Sequence, residues 1–84
     1  MYAITYKKSV DKDLRKLSSD RRQKAIEKIL SLGAQPRAVG YVKLQGGTNL
    51  CRIRQGDYRI IYTINEAIVT VMVVKVGHRK DASN

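Results

Sequence analysis

The run Leu-Cys-Arg-Ile-Arg-Gln-Gly-Asp-Tyr-Arg-Ile-Ile-Tyr at residues 50–62 decides how the chain is read. Two strand-like segments flank Gly56-Asp57, and glycine at the first central position of a two-residue loop supplies the positive φ that a tight hairpin needs. With only Gly56 and Asp57 in the loop, Gln55 faces Tyr58 and Arg54 faces Arg59. Side chains alternate across a strand. Cys51, Ile53, Tyr58, Ile60, Tyr62 and Ile64 therefore share one side, the expected core, and Arg52, Arg54 and Arg59 share the other. A three-residue loop, Gln55 to Asp57, would slip the pairing by one and turn Arg59 inward. Burying an unpaired guanidinium costs far more than crowding exposed ones, so the shorter loop is preferred. Like charges opposite each other on a sheet repel, and a fold tolerates such a cluster most readily where a polyanion rests on it. A solvated strand face that is merely basic is the competing explanation, and this stretch alone leaves both open.

Working outward, residues 1–7 alternate Tyr2, Ile4, Tyr6 against Ala3, Thr5, Lys7, the period of a strand. Ser9 is placed to cap a first helix, with Asp11 and Asp13 in the first turn and Val10, Leu14 and Leu17 as its apolar stripe. Ser18-Ser19-Asp20 offers a second cap. A second amphipathic helix runs from Asp20 to Leu32, its stripe being Ala25, Ile26, Ile29 and Leu30, and Gly33 is suited to a left-handed cap. Arg21, Arg22, Lys24 and Lys28 lie on its outer face, which reads first as a solvated surface and second as an auxiliary RNA or ribosome contact. Ala34 to Thr48 is irregular and holds the one proline, Pro36; Val42 to Leu44 is a candidate edge strand. After the central hairpin, Asn65-Glu66 reads as a turn. Ile68 to Val76 is so uniformly apolar that both faces are expected to be covered, inside the sheet.

The expected fold class is therefore α+β. An N-terminal strand leads into an antiparallel helix hairpin, then a three-stranded antiparallel meander, with the helices packed on one face of the sheet. The first strand is expected as an edge antiparallel to the last. Residues 1–84 form a single domain with no linker or repeat. The open face would carry the arginines, rimmed by His78 and Arg79.

Composition narrows the partners. Lys and Arg outnumber Asp and Glu 17 to 7, a formal net charge of +10. Such a domain suits nucleic acid, an anionic membrane surface or an acidic protein. Membrane binding is the weakest of these, since no segment joins a bulky apolar face to a basic one and no apolar run approaches the roughly 20 residues needed to span a bilayer. The N-terminus shows no charged-then-apolar leader. One cysteine, Cys51, and one histidine, His78, assemble no metal cluster and no disulfide, and an inward-facing lone cysteine suits a reducing cytoplasm. No Ser-His-Asp set, paired-carboxylate site or phosphate-binding glycine loop is present, and Gly46-Gly47 reads as a turn.

What remains is a basic groove with one group titrating near neutrality. RNA brings its own nucleophile, the ribose 2′-hydroxyl beside each phosphate. Cleavage needs that hydroxyl oriented and deprotonated, the phosphorane stabilised and the leaving oxygen protonated. Arginines hold fixed donors toward developing charge but make poor bases. His78 is the best proton carrier, with a plain surface histidine as its alternative.

Arg-Ile-Arg-Gln-Gly-Asp-Tyr-Arg-Ile-Ile-Tyr at 52–62, Val-Gly-His-Arg-Lys-Asp at 76–81, the upstream Leu44-Gln45-Gly46 and a strand followed by a helix hairpin together resemble the RelE/ParE toxin superfamily. The resemblance covers essentially the whole chain. It implies a toxin of a toxin–antitoxin system that cleaves mRNA in the ribosomal A site without a metal or small-molecule cofactor, inhibiting translation. Its implied partners are a cognate acidic antitoxin, the ribosome and mRNA. It also implies that Arg52, Arg54, Arg59 and Arg79 are the basic site positions, with His78 beside them. Two departures stand out: both Arg52 and Arg54 occupy positions that are often lysine in RelE members, and Ser83 stands where many members have a tyrosine that stacks on an mRNA base. The ParE branch shares the fold and the hairpin motif but poisons DNA gyrase. A ParE-like gyrase inhibitor, or a weakened toxin kept mainly as an antitoxin partner, are thus the alternatives.

Overall fold

In a computed structural model, residues 1–44 and 49–78 are described. They form β1 (Ala3–Tyr6), α1 (Lys8–Arg15), α2 (Ser19–Ser31), β2 (Val42–Lys43), β3 (Leu50–Gln55), β4 (Tyr58–Asn65) and β5 (Thr70–His78). The sheet order is β1-β5-β4-β3-β2. The strand, helix hairpin and meander of the α+β reading are all present, and the edge strand expected near Val42 is β2. The turn expected at Gly46-Gly47, the Leu44-Gln45-Gly46 motif beyond Leu44, and the positions Arg79 and Ser83 lie outside the described residues.

The central hairpin has the short loop. Gln55 pairs with Tyr58 and Arg54 with Arg59, and Gly56 takes a φ of +60°, which glycine adopts without a Cβ clash. Cys51, Ile53, Ile60 and Tyr62 are buried beneath the helices, joined by Val71, Val73 and Val76 of β5. Tyr58 and Ile64 are partly buried against that core. From the helices come Val10, Leu17, Ala25, Ile29 and Leu32. The stripe of α2 thus runs 25, 29, 32, the spacing of one helical face, whereas Leu30 falls off it and is 62% exposed.

Several expectations give way. β1 pairs with β5 in parallel, not antiparallel. The chain passes through β1 and α1 toward the hairpin end of the sheet and returns along α2. Gly33 at the end of α2 accepts the Tyr2 N–H at 2.7 Å, and the Tyr2 hydroxyl donates to Glu66 in the β4–β5 turn. β1 and β5 consequently start from the same end and run the same way. Gly33 has no left-handed φ. It is needed for close approach, because a Cβ there would meet the Tyr2 carbonyl oxygen at 3.0 Å. Ser9 does not cap α1, whose N-cap is Lys7 with no side-chain bond. Ser18 does cap α2, accepting the Arg21 N–H at 3.4 Å.

Two charged residues have structural duties. The Asp13 carboxylate leaves the helix dipole to accept the Val76 N–H at 3.1 Å, on the edge of β5 that lies beyond the end of β1. Arg22, expected on the outer face, instead donates to the Leu14 and Leu17 carbonyls at 3.2 and 3.1 Å, tying α2 to the end of α1, where the Leu14 oxygen also accepts the Leu17 N–H. The irregular segment after α2 is fixed by the buried Tyr62, whose hydroxyl donates to the Pro36 carbonyl. β5 begins at Thr70 rather than Ile68. Ile68 and Val69 sit in the turn, exposed, where the Asn65 side chain accepts the Ala67 and Ile68 N–H groups. β5 is interior to the sheet as expected, but only its helix side is fully covered: Met72 and Val74 are half-buried.

Candidate nucleic-acid interface

The side of the meander away from the helices carries the basic cluster. Arg54 stands directly opposite Arg59, Arg52 opposite Ile61, and Arg59 is flanked on its other side by Gly77 of β5. Directly opposed side chains on one face have Cβ atoms roughly 4.5–5.5 Å apart, so the Arg54 and Arg59 stems rise side by side. Gly77 adds no side chain there, and Arg59 itself is half-buried, with its Nε sealed from solvent. Arg54 is exposed and Arg52 half-buried.

Electrostatically, five of the seven carboxylates are engaged away from this face, while Asp57 sits in the hairpin turn itself. Asp11 pairs with Arg15, Asp20 with Lys24 and Glu66 with Arg37, Glu27 accepts from Gln23, and Asp13 holds Val76. Among the described residues neither Arg52 nor Arg54 forms an ion pair. Glu66, a conceivable inward partner for Arg59, lies at the opposite end of the sheet, where hydrogen bonds from Tyr2 and Arg37 hold its carboxyl below the usual range.

His78 is placed differently from the expectation. It pairs with Tyr58, and partners directly across an antiparallel ladder point to the same side. Its ring meets Tyr58 edge-on at 5.5 Å, on the helix side rather than among the arginines. The cause is a bulge. Ile61 pairs with Lys75 but Tyr62 with Val73, so Val74 is the extra residue and the alternation of β5 inverts there. Without it, counting on from Val71 and Val73 would put His78 on the arginine side. The same inversion puts Lys75 opposite Ile61, on the arginine side. Sequence reasoning passed over Lys75; its signal was a lone charge in the otherwise apolar run Val73-Val74-Lys75-Val76.

Tyr58 also receives Arg21 from α2. The guanidinium lies 5.7 Å from the ring centroid and donates to the hydroxyl at 3.2 Å. Arg21, Tyr58 and His78 thus form a row across the hairpin end of the molecule. Cys51 is buried, and burial pushes its thiol up in pKa, so it is a core residue and not a nucleophile.

The sequence matches the family described as ParE toxin of type II toxin-antitoxin system, parDE, over residues 4–83. The chain belongs to this toxin family. Its fold is that of RelE toxins, which form one superfamily with ParE. The RelBE2 toxin–antitoxin complex from Mycobacterium tuberculosis matches with a TM-score of 0.83 at 25% identity, over 93% of this chain and 98% of that one. The archaeal RelE–RelB complex from Pyrococcus horikoshii matches at 0.81 and 29% identity, over 96% and 98%. The isolated RelE toxin of Escherichia coli matches at 0.79 and 28%, over 93% and 84%. No curated protein matches the sequence. No helix of this toxin, among the described residues, is long and apolar enough to cross a membrane.

Proposed function

We propose that this toxin is a ribosome-dependent endoribonuclease that cleaves mRNA in the A site, acts in the cytoplasm and is neutralised by a cognate acidic antitoxin. The observation that carries the reading is the sheet face away from the helices, with Arg54 directly opposite Arg59 and Arg52 on the same side. A cation cluster held at the cost of self-repulsion suits a polyanionic backbone. The RelE toxins whose fold it shares, two of them in complex with RelB, support both the nuclease and the antitoxin.

In the reaction the 2′-hydroxyl attacks the adjacent phosphorus and the bond to the 5′-oxygen breaks, leaving a 2′,3′-cyclic phosphate and a 5′-hydroxyl. The hydroxyl proton passes to a base and the leaving oxygen takes one up. Arg52, Arg54 and Arg59, with Arg79, orient the phosphate and stabilise its added charge. His78, on the other side of the sheet against Tyr58, is not within reach of a phosphate laid on the arginines, so positioning and charge stabilisation carry most of the rate and solvent exchanges the protons.

Translation in vitro with mapping of mRNA 5′ ends tests this: discrete cuts within codons are expected. Intact mRNA together with blocked DNA supercoiling would establish the second reading, a gyrase inhibitor, which the match to the ParE family favours.

A further inference from the structure

Beyond the tip of β1, where α1 and the end of β5 diverge, a recess of about 440 Å³ opens beside the arginine face. Asp13, Lys16, Tyr58, Lys75 and His78 are among its lining residues. The volume falls within the roughly 300–1,000 Å³ of small-molecule sites. Lys16 and Lys75 are exposed, and among the described residues neither forms an ion pair. The carboxylate in the lining, Asp13, is turned to the Val76 N–H. The wall is aromatic: Tyr58 and His78 pack edge to face, and Arg21 fixes Tyr58 from behind by its hydrogen bond and its position over the ring. Lys75 belongs by register to the arginine side yet borders the recess, because β1 has ended and, among the described residues, no other strand pairs along that edge. The recess and the arginine face are therefore continuous around β5.

We infer that this recess is a subsite for single-stranded RNA, taking the nucleotide next to the one laid on the arginines. Its phosphate lies between Lys16 and Lys75 and its base against the Tyr58–His78 wall. Flexible ammonium groups serve phosphate as point charges, and aromatic faces accept any base. The inference rests on the nuclease reading and adds to it a second nucleotide-binding position on the helix side of the sheet.

The test uses the full chain and a 2′-O-methylated trinucleotide, which binds without being cut, and no ribosome. Nuclear magnetic resonance titration should shift Lys16, Lys75, Gly77 and His78 saturably along with Arg52 and Arg54. Lys16→Ala with Lys75→Ala should weaken binding about tenfold and flatten the dependence of log affinity on log salt by about 0.7 per lysine. Lys16→Arg with Lys75→Arg should restore the affinity. Lys8→Ala with Lys12→Ala, which removes the same charge from exposed positions of α1 outside the recess, should weaken it less than threefold or so. Shifts confined to the arginine face, equal losses from both double variants, or no binding by the wild type would overturn the inference. So would equal shifts from a polyglutamate peptide of matched charge, which would make the recess an acidic-protein site. Cuts in mRNA on the ribosome, scored separately, report on the nuclease reading, so the two fail independently.

Discussion

Ile60 and Arg59 are neighbours in β4, yet they serve opposite ends. On the helix side of the central hairpin Cys51, Ile53, Ile60 and Tyr62 are sealed from water. On the other side Arg52, Arg54 and Arg59 stand together on a face no helix covers. One face gains stability from each side chain it holds. The other keeps side chains that repel each other. Two sides of the same strands thus divide folding from recognition, and stability should respond to substitution on one side only.

The largest effect is expected on the sealed side. Ile60→Ala should cost about 2–5 kcal/mol in urea unfolding, the transfer loss plus the cavity left behind. A cost below about 1 kcal/mol would break the division, since it would mean this face carries little of the core. Next comes Tyr62, whose burial pushes its pKa up to about 12 from 10.0. The folded state resists ionisation there, so its contribution is complete below pH 10 and is lost as pH rises from 10 toward 12, on the order of 2–3 kcal/mol over that window. Tyr62→Phe forfeits the bond to Pro36 and is less stable at pH 7, but it should lose this alkaline slope. An unchanged slope in the variant would assign the alkaline loss to other groups. The smallest effect on stability is expected from Arg54→Ala. Relief of repulsion should leave stability unchanged or raise it by a few tenths to about 1 kcal/mol, the gain shrinking with salt, while toxicity is lost. A loss of 2 kcal/mol or so would show that Arg54 is structural and would remove the contrast.

The hairpin was legible because two strong constraints agree there. Gly56 marks the turn, and the cost of an inward guanidinium selects the register. β2, the α2 cap at Ser18 and most of the apolar stripes were legible for similar local reasons. What escaped depends on partners far along the chain. The parallel pairing of β1 follows from Gly33 meeting Tyr2, and the same contact, not a left-handed turn, explains the glycine. Ser9 lost the capping role because the helix starts at Lys8, two residues earlier than a Ser9 cap would set it, with Lys7 as the N-cap. The side taken by His78 turns on one extra residue, Val74, whose neighbours are as apolar as itself and give no signal of a bulge. The arginine face was therefore readable in advance, whereas the recess behind it was not.

Asp13 has a further consequence, for how molecules of this toxin meet one another. β1 stops at Tyr6, so among the described residues no strand pairs with the last part of β5 on that side, and such an edge is the kind of surface on which a second chain can zip up and begin a precipitate. By occupying the Val76 N–H, the Asp13 carboxylate puts a charge across that seam. The true margins of the sheet are only four and two residues long, too short to template much pairing. With a net charge of +10 keeping copies apart, the described borders of the sheet are guarded against sticking to one another.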